Sequence, residues 1–338
     1  AITEGTIQDL NIKNVVDLQG IAPNVMLLPA PANNTGASLA IRGGVAMNPA
    51  ITWEPSVGTY VDGVYMGKTQ GGIWDLVDLE RVEVLRGPQG TLYGRNTLAG
   101  AVNFISKKPS GEGVKGALTF GNYGLKQGRL IADFAVTDNF FTKLVVHQKT
   151  RDGFVQNMPG PYGPMTGVIP NNVTPPTGEL DVIDSKGFKL SMYYAGDKTD
   201  VDLSFDWTDQ DNTPPHPQLG NMASWWADAV GFGASPATGG LQVAPLHLYQ
   251  RTGRDQYTSL DKEMLETSVV EGMHLKITRQ TGIGELKLTL AKRKLDWDDQ
   301  LDMDGTPHFI FHTERHTAYS SKTIELQLTG SNDFMSYV

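Results

Sequence analysis

The chain has 338 residues, a formal net charge of −9 and no cysteine. The acidic balance argues against a nucleic-acid-binding protein, which needs a basic face. The lack of cysteine excludes disulfide scaffolds, thiolate metal sites and cysteine nucleophiles. No run of about 18 or more apolar residues occurs, so the sequence predicts no transmembrane helix. The sequence still allows transmembrane β-strands, because such strands carry apolar residues only at alternate positions.

The first hundred residues predict a small mixed α/β unit that ends near Pro109. Residues 5–28 predict a short helix with an extended exit, and Pro23 ends the helix. The apolar face of this helix consists of Ile12, Val15, Val16 and Leu18. Loop-forming residues are frequent over 30–50. Strands are predicted at 56–64, 80–85 and 100–106.

After residue 114, apolar and polar residues alternate, as they do in strands with two different faces. The clearest cases are 200–208, 285–293 and 323–329. About eight full strands are predicted. They lie near 115–121, 125–136, 140–152, 186–195, 200–209, 269–281, 284–297 and 314–329, and a ninth begins at Phe334. Their length suits the roughly 9–11 residues that a tilted strand needs to cross a bilayer.

Short turns and long connections alternate between these strands, with long connections near 153–185, 210–268 and 298–313. This layout is typical of an outer-membrane barrel, with turns on one side and long loops on the other. A soluble sandwich remains the alternative, since it also has short alternating strands. Aromatic residues near strand ends predict an interfacial girdle. They are Phe140, Phe141, Tyr194, Trp207 and Trp297.

Three segments resemble the plug domain of TonB-dependent outer-membrane receptors. They are IRG at 41–43, PSVGTYVDGVY at 55–65 and LERVEVLRGPQGTLYGRNTLAGAVNFISKKP at 79–109. The resemblance covers roughly residues 10–110 and implies an α+β plug domain over 1–110. It implies an antiparallel transmembrane β-barrel over 111–338, in the outer membrane of a Gram-negative bacterium. Eight or nine strands are too few to enclose a plug, so we expect further strands beyond the C-terminus. No TonB box is found, so we also expect a trimmed N-terminus.

The resemblance implies a transporter rather than an enzyme, and no catalytic motif or cofactor is predicted. It implies TonB-dependent uptake of a scarce ligand, with a ferric siderophore or other iron complex favoured. Glycans and cobalamin remain alternatives, as do a passive porin-like barrel and a soluble β-rich binding protein or hydrolase. The implied partners are TonB, the ligand and outer-membrane lipid, without nucleic acid.

In the resembling family, plug loops and extracellular loops form the ligand site. Aromatic and polar residues in such loops are the candidates, because aromatic rings suit half-wet concave sites. The candidates are Trp53, Tyr65, Met66, Lys68, Gln70, Trp74, His216, Trp225 and Trp226. For each of them, packing beneath the barrel rim is the competing interpretation.

Five charged residues within the matching segments are candidates for docking the plug against the barrel. They are Arg42, Glu80, Arg81, Glu83 and Arg86. The competing interpretation is that they form ion pairs inside the plug itself. Exposed pairs contribute on the order of 0–1 kcal/mol each, which suits contacts that must yield.

No metal site is predicted. Asp302, Asp304 and Gly305 resemble part of a calcium loop, but its first and twelfth positions are Gln300 and Phe311. His308, His312 and His316 recur every four residues. On an extended strand, neighbours in that series lie about 13 Å apart, from roughly 3.3 Å per residue. That spacing is too wide for one metal ion.

Overall fold

The structure is a computed structural model. It describes residues 2–10, 12, 15–29, 35–45, 53–68, 78–157, 178–215, 257–258, 260, 262–305, 311–331 and 335–338. Within these ranges, no helix has both the length and the apolar character needed to cross a bilayer.

The N-terminal unit, which we call the plug, is built from short elements. In chain order they are β1 (Ile2–Thr3), α1 (Glu4–Asp9), a 3₁₀ turn (Val15–Leu18), β2 (Val25–Pro29), β3 (Ala37–Ile41), β4 (Val57–Val61), β5 (Val64–Tyr65), β6 (Leu79–Arg86), α2 (Gly90–Tyr93) and β7 (Gly100–Ser106). A five-stranded sheet has the order β1-β6-β7-β4-β5, and β2 pairs with β3. The predicted strands at 80–85 and 100–106 are confirmed as β6 and β7, and the one predicted at 56–64 is divided by a turn into β4 and β5.

The expected single helix before Pro23 is replaced by α1 and a separate 3₁₀ turn, and the expected extended exit corresponds to β2. The segment around the turn is rich in valine, asparagine and aspartate, which are weaker helix formers than alanine or leucine. Three residues of its predicted apolar face are buried nonetheless, namely Ile12, Val15 and Leu18. They join the plug core around Val82 and Phe104, both with no exposed surface.

The second sheet, which we call the wall, is antiparallel and has nine strands. Its strands are β8 (Gly113–Phe120), β9 (Lys126–Thr137), β10 (Phe140–Arg151), β13 (Ile183–Ala195), β14 (Thr199–Asn212), β16 (Leu265–Thr281), β17 (Gly284–Asp302), β18 (His312–Ser331) and β19 (Ser336–Tyr337). Each strand pairs with its neighbour along the chain, in the order β19-β18-β17-β16-β14-β13-β10-β9-β8. The eight predicted strands are confirmed. The prediction succeeded because alternation of apolar and polar residues indicates a strand with two unlike faces.

The two faces of the wall differ as the alternation requires. The outward face carries exposed apolar residues such as Leu118, Phe120, Ile324 and Leu326. The inward face carries polar residues and contacts the plug. The prediction that Trp297 belongs to an interfacial girdle is wrong. This side chain is 1% exposed, because its position in the alternation points it inward to the plug.

Three short strands join two of the long connections. They are β11 (Val155–Asn157), β12 (Glu179–Leu180) and β15 (Tyr257–Thr258). An apolar cluster beneath them contains Val155, Leu180, Leu260, Met264 and Leu301. The Asn157 side chain also donates to the Leu260 carbonyl and accepts from its N–H. These contacts fasten the first long connection to the second.

Candidate functional site

The turn between β4 and β5 contacts two strands of the wall. Asp62 and Gly63 both have positive φ, 53° and 80°, as a two-residue type I′ hairpin turn requires. The Asp62 carboxylate accepts hydrogen bonds from Lys189 Nζ at 2.6 Å and from the Ser106 N–H at 2.8 Å. Lys276 Nζ donates to the Asp62 carbonyl at 2.9 Å. One plug turn is therefore held by lysines on β13 and β16.

Opposing effects act on the Asp62 carboxyl. Burial favours its neutral form, since its side chain is only 11% exposed. The Lys189 ammonium and the hydrogen bonds from Lys189 and Ser106 favour the charged form and outweigh burial. The pKa of Asp62 therefore lies well below its ordinary value of 3.8. The carboxylate is fully charged at neutral pH.

A second ion pair lies beside the first. Lys143 on β10 is 4% exposed, and its Nζ lies 3.0 Å from Asp78 of the plug. The same ammonium donates to the carbonyls of Lys107 at 3.2 Å and Lys108 at 3.0 Å. Asp133 on β9 lies 3.5 Å away. Removing one partner from such a buried pair costs about 3–5 kcal/mol, because the remaining charge stays desolvated.

A cavity of about 110 Å³ lies between the plug and the wall next to both ion pairs. Phe104 and Leu79 line it on the plug side, and Val145 and His147 line it on the wall side. Where a cavity separates two surfaces, dispersion contacts between them are lost. Charged contacts, rather than close packing, therefore hold this side of the plug.

A separate set of contacts lies nearer the long connections. Thr35 of the plug donates its N–H to Glu266 of β16 at 3.1 Å. The Trp297 indole N–H on β17 donates to Thr35 Oγ1 at 3.1 Å. Thr35 and Glu266 are fully buried, so each polar atom here needs its partner. Lys68 Nζ also lies 5.7 Å from the ring centre of Tyr319 on β18.

Three tyrosines of the plug cluster around β4, β5 and α2. The ring of Tyr60 lies 5.4 Å from that of Tyr65 and 5.0 Å from that of Tyr93. Asn96 donates to the Tyr65 hydroxyl at 2.7 Å and also bonds Glu54. Burial raises the pKa of Tyr60 and of Tyr65, so both are neutral phenols at pH 7. Tyr60 is buried and its hydroxyl donates to the Tyr93 carbonyl at 2.6 Å, whereas Tyr65 and Tyr93 are half-buried and keep part of their rings exposed.

The structure brings together part of the predicted ligand set. Tyr65, Met66 and Lys68 follow one another along the plug edge and are half-buried, and Trp53 is 58% exposed. Five candidates lie outside the described residues, namely Gln70, Trp74, His216, Trp225 and Trp226. The sequence interpretation missed Tyr60, Tyr93 and Asn96. The tyrosines in the segments GTYVDGVY and TLYGRN are the sequence feature that could have indicated an aromatic cluster.

The five predicted docking residues have described contacts within the plug. Arg81 pairs with Glu80 and, at 2.8 Å, with Glu83. Arg86 donates to the Pro23 carbonyl at 3.4 Å. Arg42 has a positive φ of 53° in the turn after β3. Docking by these residues stays a prediction, and the described ion pairs to the wall use other residues.

Two acidic groups with a histidine occur near the end of β17. One contains Asp296, Asp298 and His316, and the other contains Asp302, Asp304 and His312. Asp302 Oδ1 accepts the N–H groups of Asp304 and Gly305, each at 3.2 Å, so this carboxylate shapes the turn. His308 lies outside the described residues. His312 and His316 belong to different groups, in line with their expected separation.

Comparison with known proteins identifies the N-terminal unit. Residues 1–101 match the family described as TonB-dependent Receptor Plug Domain. The catecholate siderophore receptor Fiu of Escherichia coli is 30% identical over 157 residues, which are 45% of this chain and 19% of that protein. The pesticin receptor of Yersinia pestis is 46% identical over 57 residues, 17% of this chain and 8% of that protein.

Solved structures extend the likeness to the wall. The ferric yersiniabactin uptake receptor FyuA from Yersinia pestis has a TM-score of 0.73 at 16% identity, over 98% of this chain and 45% of that chain. The ferripyoverdine receptor of Pseudomonas aeruginosa has a TM-score of 0.66 at 15% identity, over 98% of this chain and 39% of that chain. At these identities the likeness shows the fold. The chain spans less than half the length of these relatives.

Proposed function

We propose that the chain, whose residues 1–101 match the TonB-dependent receptor plug domain, is part of a TonB-dependent transporter of the Gram-negative outer membrane that serves active uptake of a ferric siderophore or similar iron complex. The ligand binds from outside, at the plug end that carries the tyrosine cluster. Energy delivered through TonB then displaces the plug from the wall. The ligand, the partner and the transport step belong to the proposal.

The way the plug is held supports energy-driven transport. Among the described residues, the plug is held beside the cavity chiefly by two ion pairs to the wall, Asp62 with Lys189 and Asp78 with Lys143. Such an interface is stable at rest, because each charge is compensated. It separates after a small number of contacts break. Tight capture at low ligand concentration implies slow release, so coupled energy is needed to pass the ligand inward.

The tyrosine cluster and its neighbours support an aromatic, partly polar ligand. Phenol rings pack against flat groups, and Lys68 adds a cation at the same end of the plug. The relatives named above include receptors for catecholate siderophores and for ferric yersiniabactin. These features together favour an iron complex over a glycan or cobalamin.

Ligand binding by the complete purified receptor tests the proposal. Intrinsic tryptophan fluorescence is titrated with ferric siderophores, haem, cobalamin and oligosaccharides. We expect submicromolar quenching by an iron complex that is lost in Trp53→Ala or Tyr65→Ala. Trp207→Phe is the matched control, because this ring lies against Phe188 on the outward face. Binding only to a glycan or to cobalamin overturns the iron assignment.

Removing the plug tests the coupling step. Cells that make the complete receptor without its plug should admit the ligand passively and should not concentrate it. Accumulation against a gradient by the plug-deleted receptor would refute energy coupling through the plug. Loss of accumulation in cells without TonB, with binding unchanged, is the expected companion result.

A further inference from the structure

Two lysines lie directly opposite each other on the outward face of the wall. Lys292 of β17 is the Cα partner of Lys322 of β18. Cα atoms of directly paired antiparallel residues lie about 4.5–5.5 Å apart. The two flexible ammonium groups can therefore converge on a single anion.

Two other outward lysines of the wall have a carboxylate partner. Lys294 Nζ lies 3.0 Å from Glu271, and Lys186 Nζ lies 3.2 Å from Asp209. Lys292 and Lys322 form no ion pair with any residue that the structure describes. Like charges directly opposite on a sheet are destabilising. An external anion would remove that cost.

The position of the pair along the strands identifies the kind of anion. On the short-turn side, the next outward residues are Leu290 and Ile324, and Ile324 is 81% exposed. The outward residues of β17 are leucines from 286 to 290 and lysines at 292 and 294. The outward surface of an outer-membrane barrel is apolar only over a limited band between the two interfaces. The pair therefore lies where the apolar band ends, on the side of the long connections.

Lipid phosphates of the outer leaflet occupy this level. We propose that Lys292 and Lys322 bind the phosphate of a phosphorylated outer-leaflet lipid. Lysine stems lie along apolar surface while their ammonium groups reach headgroups. Met273 of β16 is the Cα partner of Lys292 on the other side of β17. Its side chain is 45% exposed, so it offers apolar surface to an acyl chain. The site depends on the outer-membrane location and is independent of the transported ligand.

The test measures lipid retention by the complete receptor in nanodiscs. Purified bisphosphorylated lipid A is titrated and bound lipid is counted by native mass spectrometry. A lysine near an anionic surface changes affinity by about fivefold. The double variant Lys292→Gln with Lys322→Gln should therefore bind about 25-fold more weakly than the unaltered receptor. Lys186→Gln is the matched control, since that lysine has Asp209 as its partner, and it should bind normally.

Two further arms identify the source of the phosphate. Dephosphorylated lipid A should bind the receptor and the double variant equally. Inorganic phosphate should displace little lipid A. Equal retention of bisphosphorylated lipid A by receptor and double variant overturns the proposal, as does equally tight binding of inorganic phosphate alone. Normal heat-modifiable migration of each variant shows that folding is intact.

Discussion

Replacing Asp62 with asparagine should loosen the plug without changing its backbone. Asparagine tolerates positive φ, as Asn24 and Asn96 do in this plug, so the turn keeps its geometry. The change removes the negative charge that Lys189 and the Ser106 N–H contact at 2.6 and 2.8 Å. Breaking a buried ion pair costs about 3–5 kcal/mol, and a hydrogen bond to a charged group is worth about 1.5–3 kcal/mol. Lys189 keeps 21% exposure, so water partly solvates it and we expect a loss of about 2–3 kcal/mol.

Hydrogen exchange of the intact receptor measures this loss. A decrease of about 2–3 kcal/mol in opening free energy speeds amide exchange about 30- to 150-fold, at 1.36 kcal/mol per tenfold. The relevant peptides cover 57–66 and 100–107. Glu80→Gln is the control, because the Glu80–Arg81 pair is largely exposed and should change exchange by less than about fivefold. If both variants exchange at the same rate, the Asp62 contact does not hold the plug.

Three further outcomes are expected. Lys143→Met should weaken plug docking by about 3–5 kcal/mol, since Asp78 stays buried without its cation, and protease cleavage at 107–112 reports it. Trp297→Phe should remove the hydrogen bond to Thr35 and speed exchange over 35–41 about tenfold, with 100–107 unchanged. Because the pKa of Asp62 is depressed, its stabilisation should be constant from pH 7 to about 5 and decline below its ordinary value of 3.8. In Asp62→Asn this decline should be smaller, and an identical decline would exclude Asp62 as its source.

Local patterns predicted most of the wall. Each strand alternates apolar and polar residues because one face meets lipid and the other meets the plug. The predicted strand at 284–297 extends in the structure to Asp302. Its outward residues change from leucines to charged residues at Lys292 and remain charged through Asp298. The strand continues above the apolar band, where alternation no longer separates apolar from polar residues.

The contacts that hold the plug were outside the reach of local patterns. Asp62 lies in the VDGVY segment, and its side chain contacts a lysine 127 positions away. Lys143 and Asp78 are 65 positions apart. Alternation predicts which strands have a polar face but does not tell which plug residue lies opposite a given lysine. The charged residues selected instead, such as Arg81, are neighbours of their own partners on β6.

The edge of the plug sheet connects its N-terminus to one of these ion pairs. Among the residues that the structure describes, β1 pairs with β6 through Ile2 with Val82 and Thr3 with Arg81. Glu4 follows β1 directly and pairs with Lys107, whose carbonyl accepts a hydrogen bond from Lys143. On the proposed function, tension on the N-terminus acts first on this edge strand, since an edge strand is paired on one side only. The tension is then transmitted through Glu4 and Lys107 to the loop that surrounds the Lys143 ammonium. This loop lies next to the cavity, where dispersion contacts between plug and wall are missing.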